Sequence, residues 1–216
     1  MSTMTIECEK TFGEKVANAV SHGFGALPVS GALPVLASRA LWRGPTTDVV
    51  AAGVFAGSMV LLYGVSSLYH AVPASRAEAL LQRLDHAAIY VSIAGSYMPF
   101  TLDVLRGRSG WTLFVVWFMA AFGVAIRLLD RLKHRLISTG LYFAPGWVVV
   151  VAARRLAARL PGSAVALLVA GALSYTLGTV VLLFDDRIRY SHLVWHLFVL
   201  VGCACHFLGA FWFANA

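Results

Sequence analysis

Long apolar runs alternate along this chain with short charged clusters. The runs lie at approximately 16–41, 48–71, 84–105, 110–129, 136–153, 163–184 and 190–213. The separators are RGPTTD, PASRAEALLQR, RGRSG, DRLKHR, RRLAARLPGS and DDRIR. A helix needs about 20 apolar residues to cross a bilayer, so each run predicts one span. The expected fold is an all-α membrane protein, a seven-transmembrane-helix bundle. A polar N-terminal segment, 1–15, precedes a single transmembrane domain over 16–216. That segment is mixed in charge, unlike a cleaved signal peptide, so the first run is read as a retained span. Pro28, Pro34, Pro99 and Pro145 fall inside spans and predict kinks, tolerated where neighbouring helices satisfy the freed carbonyls. Small residues, as in GVFAGS and VAGALSYTLG, allow close helix contact.

Composition strengthens this picture. The sequence is 59% hydrophobic and 12% charged, with a mean hydropathy of +0.77; a soluble domain carries about 25% charged residues. The net charge of +7 would suggest nucleic acid in a soluble protein. Here the basic residues stand between apolar runs, which excludes that partner and points to anionic headgroups. Ten Lys and Arg fall in the N-terminal segment and even-numbered loops, against seven in the odd-numbered loops. That bias predicts a cytoplasmic N-terminus and a C-terminus outside, in the plasma membrane. Of the three cysteines, Cys203 and Cys205 are two apart on one helix and point to nearly opposite sides. No disulfide is expected.

The unusual polar residues share a depth on this frame. His70 ends the second span in SSLYH, Asp85 and His86 open the third in LDHAAIY, and His192 and His196 open the seventh in SHLVWH. Alternating topology puts all of these on one side of the membrane, with His22 near the start of the first span. His192 and His196 are at i and i+4, on one helix face with a rise of about 6 Å. Such a pair can grip one metal ion, and His70 can supply a third nitrogen. Three His with an open fourth position is a catalytic zinc arrangement, in which bound water has a pKa of about 7. Asp85 can act as general base or orient a ligand, and Ser66, four residues before His70, can reach the same site. His206 lies about 21 Å deeper along the axis and is read as a hydrogen-bonded interior histidine. Asp185, Asp186 and His134 are read as loop residues, with both aspartates solvated. Trp42, Trp111 and Trp212 suit interfacial belts.

GEKVANAVSHGFG, SSLYH, LDHAAIYVSIAGSYMPF and SHLVWHLFVLVGCACHF, in this order over nearly the whole chain, resemble the bacterial haemolysin III family. That family is grouped with the progestin and adipoQ receptors and is similar to the alkaline ceramidases. The resemblance implies seven helices around one zinc ion near the cytoplasmic face, held by His70, His192 and His196. It also implies roles for Asp85 and Ser66 near the metal's water. The expected function is a zinc-dependent membrane hydrolase cleaving an amide or ester bond of a membrane lipid. Two alternatives stand beside it: a cytolytic or channel-forming haemolysin, and a receptor-like protein with structural zinc. His22 and His86 carry no assigned role.

Overall fold

A computed structural model describes residues 10–43, 46–73, 75–102, 110–129 and 135–213. Cys8 and His134 lie outside the described residues, as do the side chains of Trp42 and Trp212. The described residues form eight helices and no strand: α1 (Phe12–Arg43), α2 (Thr46–Ala71), α3 (Arg76–Leu102), α4 (Gly110–Leu128), α5 (Arg135–Trp147), α6 (Val149–Ala157), α7 (Gly162–Leu182) and α8 (Ser191–Phe213). Each apolar run is helical over most of its described residues, and the fifth is split in two at Val148. Pro145 sits just before the split. Proline donates no N–H and its ring crowds the carbonyl four residues earlier, which weakens the ladder there. Tyr97 of α3 covers the break, its hydroxyl 2.7 Å from the carbonyl oxygens of both Pro145 and Gly146. A neighbouring helix thus donates one hydrogen bond beside the interruption, the single Tyr97 hydroxyl proton going to one of these two carbonyls.

Four helices, α2, α4, α7 and α8, are long and apolar enough to cross a membrane. The described α1 and α3 are long but more polar, carrying Asn18, Ser21 and His22 in one and Gln82, Arg83, Asp85 and His86 in the other. The helices α5 and α6 are individually short. Burial follows the inverse of a soluble bundle. Exposed faces are apolar, as in the α4 stripe Trp111, Phe114, Phe118 and Phe122, where Trp111 is 73% exposed. Polar side chains such as Asn18, His22, Ser66, His70, Asp85 and His196 are buried. This arrangement suits hydrocarbon outside and polar partners within.

The helix α3 is central. Its Ala88 joins a core with Phe55, Met59, Tyr63 of α2 and Trp195, Val199 of α8. Its Tyr90, Ala94 and Tyr97 pack with Val116 and Ala120 of α4 and Tyr142 of α5. Further along, Phe100 packs with Leu156, Ala164 and Ala210. Close approach between α7 and α8 depends on Gly178, where a β-carbon would stand 2.6 Å from Phe198 Cβ. Cys203 and Cys205 are free thiols.

Candidate metal centre

His70 lies in the last turn of α2, while His192 and His196 occupy the first two turns of α8. The three rings converge edge-on, with centroids 4.9 Å (His70 to His192), 5.2 Å (His70 to His196) and 4.7 Å (His192 to His196) apart. One nitrogen from each lies within 4.8 Å of the others. His70 Nε2 is buried with no hydrogen-bond partner. A polar atom left so costs about 1–3 kcal/mol, and an ion held between the rings would relieve it. The donor set, three neutral imidazoles, suits zinc, so these residues fit such an ion.

One residue near the site departs from the expected reading. Asp185, in the turn joining α7 to α8, is not a solvated loop aspartate. Its Oδ2 accepts from His192 Nδ1 at 2.9 Å and pairs with Lys10 Nζ at 3.0 Å. Its Oδ1 accepts from Ser191 Oγ at 3.3 Å. Partial burial pushes the Asp185 carboxyl up, but the His192 hydrogen bond and the Lys10 ammonium outweigh it. The group sits well below the usual carboxylate range. A carboxylate only accepts, so His192 carries a proton on Nδ1, and in the neutral ring Nε2 is the nitrogen left for a ligand. Metal-binding histidines are commonly oriented in this way. The sequence hid this contact because seven residues and a turn separate the pair.

A cavity of about 1290 Å³ opens beside the histidines. Ser66, Asp85, His192 and His196 all line it, along with His22 and His86. Asp85 is 5% exposed and Ser66 1%, and the Ser66 hydroxyl approaches the Asp85 carboxyl. The walls become apolar further in, with Ile93, Leu168, Val169 and Val199 among the lining residues. His206 also lines the cavity, against Tyr175 and Phe100 at ring-centroid distances of 5.3 and 6.4 Å. It is interior and outside the three-histidine group, as expected, but not hydrogen-bonded. Neither ring nitrogen completes a hydrogen bond, although the Leu168 main chain approaches.

Two residues of α1 escaped the sequence reading. His22 stacks face to face on His196, with centroids 3.5 Å apart and planes at 11°. Ser21 Oγ lies 2.8 Å from His196 Nδ1. His22 stood out in the sequence as a histidine in an apolar run, without a partner to give it a role. Ser21 gave no signal.

The molecule is a helical membrane protein with a three-histidine group, compatible with a metal site, of which His192 and His196 line a cavity among the helices. The chain belongs to the Haemolysin-III related family, whose pattern matches residues 11–207. It is 40% identical over 195 residues to Hemolysin-3 of Bacillus cereus, an alignment covering 90% of this chain and 89% of that one. It is 38% identical over 198 residues to the Hemolysin-3 homolog of Bacillus subtilis (strain 168), covering 91% and 92%. The human monocyte to macrophage differentiation factor is 28% identical over 207 residues, covering 90% of this chain and 82% of its own.

Proposed function

We propose that this protein is a zinc-dependent hydrolase of the plasma membrane that cleaves an amide or ester bond of a membrane lipid. The observation that supports this function is the grouping of three imidazoles beside a cavity whose lining includes His192, His196, the Asp85 carboxyl and the Ser66 hydroxyl as well as apolar side chains such as Ile93, Leu168 and Val199. Catalytic zinc sites keep three protein ligands and one open position, and a cavity of this size with an apolar stretch of wall accommodates an acyl chain. In this reading α1, α2, α3, α4, the α5–α6 pair, α7 and α8 make seven crossings. The N-terminus is cytoplasmic and the C-terminus outside, in keeping with the ten-to-seven excess of basic residues.

His70, His192 and His196 would hold the ion. When bound, zinc supplies the Lewis acidity that lowers the pKa of a water to about 7. Asp85 would accept a proton from the attacking water as the water oxygen bonds to the carbonyl carbon. The carbon–nitrogen or carbon–oxygen bond then breaks, and Asp85 returns the proton to the departing atom. Ser66 donates a hydrogen bond to the carbonyl oxygen, where charge develops.

The test compares lipid extracts of cells lacking the protein with cells complemented by wild type, Asp85→Asn or His196→Ala. Wild type restores one lipid class to normal abundance and releases its fatty acid. Asp85→Asn retains zinc but loses turnover by at least about 10²-fold, whereas His196→Ala loses both. Equal complementation by all three would sink the hydrolase reading. The name Hemolysin-3 attributes lysis to the Bacillus cereus relative. Dye release from liposomes containing the purified protein, undiminished in His196→Ala, would favour that function instead.

A further inference from the structure

Every ligand of the candidate centre lies on α2 or α8, yet α1 grips one of them from two sides. His22 covers the face of the His196 ring, and Ser21 meets its Nδ1 edge at 2.8 Å. His196 itself is 1% exposed, so no solvent competes for that edge. The Ser21 hydroxyl has one proton, and its oxygen also lies 2.8 Å from the Asn18 main-chain carbonyl. Serine commonly donates to a carbonyl three or four residues back in a helix. A carbonyl can only accept, so this bond uses the hydroxyl proton and leaves the oxygen lone pairs facing His196. The remaining 2.8 Å contact then runs from imidazole N–H to hydroxyl oxygen. A neutral imidazole protonated on Nδ1 has its lone pair on Nε2. His192 is fixed in the same tautomer by Asp185, and His70 presents an unpartnered Nε2.

We propose that Ser21 is a positioning residue for the metal centre. Its oxygen accepts the Nδ1–H of His196, fixes the ring's tautomer and orientation, and makes α1 part of the metal-binding unit although it supplies no ligand. The inference rests on the metal reading of His70, His192 and His196.

The test uses the full chain in lipid nanodiscs, titrated with zinc chloride against a fluorescent chelator. Loss of an outer hydrogen-bond partner typically weakens metal binding about 10–100-fold, and Ser21→Ala is expected to lose affinity in that range. Ser21→Thr, which keeps the hydroxyl, restores most of it, whereas Ser21→Val does not. Wild-type affinity in Ser21→Ala overturns the inference and leaves the metal reading standing. Equal zinc content in wild type and His196→Ala overturns the metal reading itself. A purely structural role for Ser21 would lower the unfolding temperature without changing the tautomer. Nitrogen-15 spectra of the imidazoles in zinc-loaded wild type therefore give a readout independent of any variant. A proton on His196 Nδ1 is expected, and one on Nε2 refutes the proposal.

Discussion

At the scale of single residues, the spacing that gathers the three histidines was legible and the groups that contact them were not. A pair of histidines at i and i+4 declares a shared helix face, and a third at matching depth follows from counting spans. The structure brings His70, His192 and His196 together and sets Asp85 and Ser66 on the same cavity wall. Asp185 is the case that spacing concealed, because its role depends on how one turn folds back on the start of α8. Asp185→Ala leaves His192 Nδ1–H without its acceptor and Lys10 without its partner. Zinc affinity is expected to fall about 10–100-fold, measured by chelator competition on purified protein. Unchanged affinity would mean that the α8 backbone alone holds the His192 ring.

At the scale of elements, the N-terminal end of α1 is tied down by a reciprocal pair that the sequence carries in plain view. Thr11 and Glu14 are three apart, the spacing of a capping box. Glu14 Oε2 accepts from the Thr11 N–H and hydroxyl at 2.9 and 2.7 Å, and its amide meets Thr11 Oγ1 at 3.4 Å. What the spacing did not show is the second carboxylate oxygen, which accepts the Tyr190 N–H at 3.0 Å. Tyr190 has φ 60°, a left-handed conformation that costs a non-glycine residue about 1–2 kcal/mol. The bond thus holds the entry to α8 in a shape it would not choose alone, and links α1 to the helix bearing two of the three histidines. Hydrogen bonds from the Thr11 side chain and then the Tyr190 amide hold the Glu14 carboxyl at about 2, against an ordinary 4.5. Its contribution is complete above pH 4.5 and fades as pH falls toward 2. The Tyr190 amide should lose hydrogen-exchange protection over that window, and Glu14→Ala should lose the same protection at neutral pH. The boundary missed within the fifth apolar run has a comparable origin. Pro145 announced a distortion, but the sequence could not show that the Tyr97 hydroxyl of another helix would meet the Pro145 and Gly146 carbonyls at the break.

At the scale of the whole molecule, hydropathy outlined the helices well, because apolar runs and helical segments share their cause in hydrocarbon. It was less informative for α1 and α3, whose polar inward residues lower their mean hydropathy while serving the interior. If α1 and α3 cross with the others, single cysteines placed at Gly13 and Gly162 should face opposite compartments. A membrane-impermeant maleimide applied to intact cells should label the Gly162→Cys variant and spare Gly13→Cys. The reverse pattern would invert the orientation, and labelling of both would remove the seven-crossing topology.

The distance along the chain between His70 and His192 carries one further consequence. His70 leaves the ribosome early, and its two partners emerge only with the last helix. A nascent chain halted after α7 therefore possesses one imidazole of the three and has no grip on an ion. If the three histidines hold an ion, its loading must follow the synthesis of α8, which makes it a final quality check on whether α2 and α8 have found each other in the bilayer.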